Sequence, residues 1–200
     1  MRRLRENVKF RGIKREIRIV GVDDCPFVPR SLGRVDVIGI VLRGGCCVDG
    51  AMRTSVAIDG FDATEKIAEM ISSSPHYKQL RIIMLDGVTF AGFNIVDVRK
   101  LFGLTGLPVL ALTRKKANMD NIKRALMRLD RWEERLNRMQ SAGKMFNIDV
   151  RKTELHMHVA GISREDAEKI VRVSCTQGNI PEPLRVAHII ASALTVCTNQ

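Results

Sequence analysis

The chain has 200 residues, of which 45% are hydrophobic and 28% are charged. These proportions are typical of globular proteins and exclude both a disordered chain and a fibrous repeat. No apolar run reaches the ~18 residues that a membrane-spanning helix needs, and the basic N-terminus lacks the apolar segment of a secretory signal. We expect a soluble, cytoplasmic protein without a membrane partner, folded as one domain over 1–200 in which 1–15 form a basic N-terminal segment.

The charge balance favours a polyanionic partner. There are 33 basic and 22 acidic residues, which gives a net charge of +11 and an isoelectric point near 9.9. A field of this sign attracts nucleic acid. Aromatic residues make up only 4%, so phosphate contacts rather than base stacking should dominate binding, which would weaken steeply with salt.

The cysteines indicate reduced thiols. Their number is odd and none are spaced as CxxC, which argues against a disulfide framework and against structural zinc. Two histidines, His156 and His158, could share one face of a strand and bind a metal, but no further Cys or His stands at a suitable spacing. We expect the thiols to be mostly buried: Cys25, Cys46, Cys47, Cys175 and Cys197.

Three β-rich runs open the chain after the basic segment. They span 16–24, 35–45 and 49–60, and each ends in glycine or aspartate turn residues. Short runs of β-formers separated by turn signals predict three consecutive antiparallel strands.

The hydrophobic period then changes to alternating helix and strand. Residues 62–74 predict a helix with Asp62 as N-cap, 80–87 a buried strand, 93–106 a helix that exits at glycine, and 107–113 a second buried strand. The remaining predicted elements are a long basic helix or helix pair over 118–142, a weak strand over 153–159, and helices that open at Ser163 and Pro181.

This order predicts an α/β fold. A three-strand meander followed by alternating helix and strand gives a mixed sheet with helices on both faces. The same order is found in the ribonuclease H-like three-layer fold, here with C-terminal helices, although other three-layer α/β folds share it.

Carboxylates at two strand ends form the candidate chemical site. Asp23 ends the first strand and Asp86 the fourth, and functional crevices of open sheets lie outside the carboxyl ends of strands. If these strands are parallel neighbours, the two carboxylates repel each other unless a divalent cation lies between them. Mg²⁺ or Mn²⁺ suits such an oxygen-rich site. A third carboxylate could come from Asp62 or Glu65, which could equally form a capping box.

Basic residues follow the fifth strand. Arg114 and Lys115 lie at the same sheet edge, where a cation could neutralise charge on a phosphodiester, although a solvated loop is an equal alternative. His188, on the last helix, could be a site residue or an ordinary half-buried histidine. The basic helix over 118–142 is predicted to contact phosphates through Lys123, Arg124, Arg128, Arg131 and Arg135.

Four segments in order resemble the blocks of endonuclease V. They are GVDD (21–24), LDG (85–87), LPVLALTRKK (107–116) and the C-terminal stretch 161–188 with its PEPxR turn. The details of GFDATEKI (60–67) and of the segment that continues from LDG resemble more closely an archaeal family catalogued as domain of unknown function 99, within the ribonuclease H-like group.

The resemblance implies a metal-dependent nuclease that cuts nucleic acid near deaminated bases, chiefly inosine. The segment PYIPG, which wedges DNA in endonuclease V, has no counterpart before Asp62, so base specificity does not transfer. The alternative is a catalytically degenerate nucleic-acid-binding protein of the same fold. Matched by position, the metal ligands fall on Asp23, Asp86 and Glu65 with Asp62 as competitor, the catalytic lysine on Arg114 or Lys115, and a further site residue on His188.

Overall fold

A seven-stranded mixed sheet forms the centre of the computed structural model, which describes residues 7–116 and 118–196. In chain order the strands are β1 (Arg18–Asp24), β2 (Arg34–Arg43), β3 (Cys47–Ala57), β4 (Ile82–Asp86), β5 (Thr89–Phe90), β6 (Asn94–Ile95), β7 (Val109–Thr113), β8 (Phe146–Val150) and β9 (Thr153–Ala160). The α-helices are α1 (Ala63–Ser72), α2 (Val98–Thr105), α3 (Met119–Leu126), α4 (Trp132–Ser141), α5 (Arg164–Ser174) and α6 (Glu182–Val196). None of the helices described is long and apolar enough to cross a membrane.

The sheet order β3-β2-β1-β4-β7-β9-β8 confirms the predicted meander and the alternating half. Strands β1, β2 and β3 pair antiparallel, whereas β1, β4 and β7 are parallel neighbours. Strand β9 returns antiparallel to β7, and β8 pairs with β9 at the edge. A separate hairpin of β5 and β6 follows β4.

Helices cover both faces of the sheet, as the α/β prediction required. One core joins α1 and α2 to side chains such as Val20 and Leu85, and a second core joins α5 to the opposite side chains, such as Ile19 and Met84. This alternation along β1 and β4 is the two-residue period of a strand buried on both faces.

The structure corrects one predicted boundary, decides between two alternatives and adds one strand. Helix α2 begins at Val98 and not at residue 93, because the Asp97 side chain accepts hydrogen bonds from the first-turn N–H groups and so acts as N-cap. Of the two alternatives for the basic segment 118–142, the helix pair is confirmed, as α3 and α4. Strand β8 was missed because only two buried side chains, Ile148 and Val150, mark its short alternating pattern.

The prediction of buried thiols holds for half of the cysteines described. Cys25 and Cys175 are free and buried, whereas Cys46 and Cys47 are free but exposed where β2 turns into β3. Cys197 lies outside the residues that the structure describes.

Helix α6 crosses β1 at a glycine. A Cβ atom on Gly21 would lie 2.2 Å from the carbonyl carbon and oxygen of Pro183 and 2.8 Å from the Leu184 nitrogen. Only a residue without a side chain permits this approach of backbone to backbone. The contact fixes how close α6, and every side chain it carries, comes to the end of β1.

Gly21→Ala should therefore destabilise the protein by at least about 1–3 kcal/mol, the usual cost of overpacking, because the obstructing atoms belong to backbone. Urea unfolding of the purified variant measures this. Gly12→Ala is the matched control, because no atom lies within 4 Å of the added methyl, and it should change stability by less than about 0.5 kcal/mol. Equal stability of both variants would contradict the close approach.

Candidate metal centre

The ends of β1 and β4 bring two carboxylates together. The parallel register pairs Val22 with Leu85, so Asp23 and Asp86 follow at neighbouring positions of the same sheet edge. Asp23 is 5% exposed, whereas Asp86 reaches solvent at the rim. The sheet thus brings these two predicted residues to one crevice.

Helix α6 adds an imidazole to the pair. The Nδ1 atom of His188 lies 2.8 Å from Oδ2 of Asp23, although the His188 side chain is otherwise 63% exposed. One ligand atom from each of Asp23, Asp86 and His188 lies within 4.8 Å of the others. Two carboxylates and an imidazole at this spacing can hold a divalent cation such as Mn²⁺ or Mg²⁺.

Asp24 is a third carboxylate at the same strand end, and it holds a loop. Its Oδ2 accepts a hydrogen bond of 2.7 Å from the Ala91 N–H in the hairpin of β5 and β6. Burial and the neighbouring Asp23 charge raise the pKa of Asp24, whereas this hydrogen bond lowers it, and the net result is a pKa of about 6. The fold therefore disfavours the charged form of this carboxyl, relative to a free aspartate, in the absence of a cation.

The pKa of Asp86 is also raised. Although its side chain reaches solvent, desolvation by the surrounding protein raises its pKa, and the Asp23 charge adds to the rise. His188 and Arg114 oppose the rise. The concentration of negative charge at this edge is the condition that a bound cation relieves.

The residues after β7 are only partly drawn into the site. Arg114 lines a cavity of about 150 Å³ together with Asp86, His188 and Arg185. Lys115 is exposed and does not line the cavity; its backbone N–H donates to the Thr113 hydroxyl. Of the two candidates for a catalytic cation, Arg114 lies closer to the metal centre.

Asp62 belongs to a structural network instead of the crevice. Its Oδ1 accepts hydrogen bonds from Ala57 N–H and the Asn94 side chain, and its Oδ2 pairs with Arg34 at 3.0 Å. Burial alone would raise the pKa of Asp62, but these hydrogen bonds lower it below its usual value. Nor does its side chain cap α1, since Ala63 N–H donates to Asn94 Oδ1.

Glu65 also lies outside the cluster. It is exposed on α1 and forms an ion pair with Lys100 of α2. The described residues thus place neither candidate for the third carboxylate beside Asp23 and Asp86. Helical spacing alone could not separate a side chain facing the crevice from one facing the next helix.

The predicted phosphate-contacting residues divide into two groups. Lys123, Arg124 and Arg128 are exposed on or just after α3, as the prediction required. Arg131 is exposed, pairs with Glu134 and lies over the Phe61 ring.

Arg135 corrects the prediction, because it is 2% exposed and cannot reach a phosphate. Its guanidinium donates to the carbonyls of Asp59, Gly60 and Phe93 and to Asp130. A buried guanidinium with this many acceptors acts as a structural clamp. In the sequence, Arg135 is one basic residue among several in 118–142 and could not be distinguished from its exposed neighbours.

The His156 and His158 pair forms no metal site. His156 is buried and bonds to Asn147 Oδ1 at 3.0 Å. Burial lowers the pKa of His158, although the nearby carbonyls of Gly143 and Ala142 act to raise it. Within the described ranges, neither histidine lies in a group of three or more metal-binding side chains.

Two residues beside the centre escaped sequence analysis. Ala91 holds Asp24 through its backbone, at φ +44°, and no side-chain pattern reports such a contact. Arg185 lies one turn before His188, with its Nη2 2.6 Å from Glu182. The PEPxR turn could have drawn attention to it.

Replacing Arg135 by methionine should lower the free energy of unfolding by about 3 kcal/mol or more, because three part-buried carbonyls lose the buried guanidinium that donates to them. Arg131→Met, which removes an exposed cation just before the same helix, should cost less than about 1 kcal/mol. Urea denaturation measures both. An Arg135→Met protein with unchanged stability and weakened nucleic-acid binding would reinstate the phosphate contact.

Asp24 should give stability a distinct pH dependence. Since its folded pKa of about 6 exceeds the unfolded value of 3.8, stability is lost as pH rises from about 4 to about 7, by up to about 3 kcal/mol. Urea unfolding in EDTA should show this fall in the wild type and a smaller one in Asp24→Asn. Asp149→Asn, at an exposed position, should follow the wild type; parallel profiles for all three would sink the assignment.

The sequence matches the model of the family described as Endonuclease dU over residues 15–195. A UPF0215 protein of Methanothermobacter thermautotrophicus is 51% identical over 192 residues, covering 96% of this chain and 94% of that protein. One from Pyrococcus furiosus is 41% identical over 187 residues, covering 92% and 95%. These matches confirm the resemblance to an archaeal family.

Solved structures confirm the ribonuclease H-like fold. A protein of unknown function from Archaeoglobus fulgidus superposes with a TM-score of 0.80 at 35% identity, covering 89% of this chain and 98% of that one. Human ENDOV superposes with a TM-score of 0.60 at 19% identity, covering 92% and 86%, which shows the shared fold. With a family model that spans nearly all of it and close relatives over its whole length, the chain belongs to the Endonuclease dU family.

Proposed function

We propose that this protein is a metal-dependent endonuclease that hydrolyses a phosphodiester bond of DNA beside a deaminated base, with deoxyuridine as the nucleoside recognised. The observation that carries the proposal is the cluster of Asp23, Asp86 and His188, whose ligand atoms lie within 4.8 Å of one another. The family description supplies the nucleoside. An endonuclease V from Ciona intestinalis was crystallised with DNA containing inosine, which supports nucleic acid as the partner.

The donor set fits a hard divalent cation. Carboxylate oxygens suit Mg²⁺ and Mn²⁺, and one imidazole is compatible with Mn²⁺. The raised pKa values of Asp24 and Asp86 show that the protein around them does not neutralise their charge. When bound, the cation would polarise the scissile phosphodiester and offset the charge that develops on it.

The chain's own residues would position and stabilise the reacting phosphate. The hydrogen bond from His188 to Asp23 orients both side chains toward the crevice. Arg114, which lines the cavity beside Asp86, would neutralise negative charge that grows on the phosphate oxygens. Asp24 would hold the hairpin of β5 and β6 against the site through Ala91.

A second candidate function is nucleic-acid binding without cleavage. One observation favours it: Asp62 and Glu65, the candidates for a third carboxylate, are both held in ion pairs outside the cluster. Such a protein would bind DNA with a strong salt dependence and would give no turnover with any divalent cation.

Asp86→Asn separates the two candidates. With Mn²⁺ and a duplex carrying one deoxyuridine, the wild type should nick the strand. The variant should be slower on the order of a thousandfold, because the cation contributes several kcal/mol to the barrier. Gel analysis of the labelled strand measures the rate. Asp149→Asn is the control that removes a carboxylate at an exposed position of β8.

Calorimetric titration with Mn²⁺ provides the second measurement. Asp86→Asn should lose most of the affinity of the wild type, and Asp149→Asn should retain it. Nicking of matched duplexes that carry inosine or thymidine in place of deoxyuridine tests which base the protein recognises. Unchanged Mn²⁺ affinity in Asp86→Asn would refute the metal centre, whereas wild-type binding of DNA without nicking would establish the second candidate.

A further inference from the structure

A large cleft lies beside α2, apart from the metal centre. It encloses about 1,100 Å³ between α2, the segment after α4 and the end of β9. Its wall includes Arg99, Lys100, Lys144 and the rings of Phe102 and Phe146. We refer to it as the α2 cleft.

The charge of the α2 cleft is one-sided. None of the described residues that line it is acidic. Lys100 is paired with Glu65, but Arg99 and Lys144 belong to no ion pair within the described ranges. Two uncompensated cations facing one concavity favour an anionic ligand.

Close backbone approach shapes the cleft. Gly143 has φ +78°, and a Cβ atom there would lie 2.9 Å from Nη2 of Arg99. The guanidinium thus lies against a backbone without a side chain. Gly161 has φ +75°, and a Cβ atom there would lie 2.4 Å from the Phe102 ring, so the ring also lies against glycine backbone. The positive φ of both positions favours glycine, and no side chain there covers the cation or the ring.

An aromatic ring accompanies the cations. Phe146 is half-buried, with Lys144 Nζ 5.8 Å and Arg164 Cζ 5.3 Å from its centroid. Leu104 adds an apolar side chain that is 43% exposed. Cations beside a partly exposed ring are the combination that binds single-stranded nucleic acid, because phosphates meet the cations and bases stack on the ring.

The α2 cleft reaches the edge of the sheet opposite Asp86, where β9 ends beside the start of β7. Because β4 and β7 are parallel, α2 starts at the edge of Asp86 and runs back along the sheet for eight residues, about 12 Å. Arg99 and Lys100 lie in its first turn. The cleft along α2 is therefore longer than a single phosphate group and extends away from the crevice.

We propose that the α2 cleft binds a single-stranded segment of the nucleic-acid substrate, with phosphates on Arg99 and Lys144 and a base on Phe146. The assignment rests on the proposed nucleic-acid substrate but needs neither the metal nor cleavage. It is separate from the exposed cations of α3.

Binding of a fluorescein-labelled oligothymidylate of about 15 nucleotides, followed by anisotropy in EDTA, tests the proposal. Arg99→Ala and Lys144→Ala should each weaken binding about fivefold at about 0.1 M salt and lower the salt slope by about 0.7, the contribution of one single-strand phosphate contact. Phe146→Leu should weaken binding at least about fivefold with an unchanged slope. Thermal melting of each variant checks its folding.

Arg53→Ala is the matched control. Arg53 is an exposed cation of β3, five strands from β9 in the sheet order, and its loss should change affinity less than about twofold. If the cleft variants bind like the wild type, or thymidine monophosphate displaces the oligonucleotide completely, the strand assignment fails.

The outcome is independent of the proposed cleavage. Asp149→Asn, which removes an exposed carboxylate outside the metal centre, should bind the oligothymidylate in EDTA as the wild type does. Nicking by the wild type together with unchanged affinity of the cleft variants would overturn the cleft alone. Weakened binding by those variants without any nicking would uphold the cleft and overturn the endonuclease.

Discussion

The contact between α6 and β1 at Gly21 is the constraint on which the metal centre depends. Strand β1 supplies the buried carboxylate of Asp23, and its parallel neighbour β4 supplies Asp86. The imidazole of His188 reaches them because Pro183, five residues earlier on α6, lies directly on the backbone of Gly21. Two elements separated by about 160 residues thus build one ligand set, and a single methyl group at the crossing would separate them.

Electrostatic cost is concentrated at this edge of an otherwise basic protein. Asp23, Asp24 and Asp86 lie together, and burial with mutual repulsion raises the pKa of the latter two. The net charge of +11 of the whole chain does not relieve them, because the local cations are few and Arg114 only partly opposes the rise. A site that stays charged at neutral pH without compensation is suited to a divalent cation.

Much of the polar chemistry beside the centre is structural. Arg135, Asp62 and Asn94 fasten together the turn after β3, the start of α1 and the hairpin of β5 and β6. These loops surround the crevice and carry backbone groups that would otherwise be buried without partners. Residues that resemble site residues by type therefore serve to hold the loops that frame the site.

The sequence by itself determined most of the order of elements, but not β8 or the hairpin of β5 and β6. It also determined the meander and the two strand-end aspartates, because a two-residue period and turn residues are local signals. It also identified the family, through motifs spread over most of the chain. Tertiary structure alone decided the partners: that His188 reaches Asp23, that Glu65 faces Lys100, and that Arg135 is buried while its neighbours are exposed. The physical reason is that helical spacing places a side chain on a face, whereas only the packing of distant elements determines what that face meets.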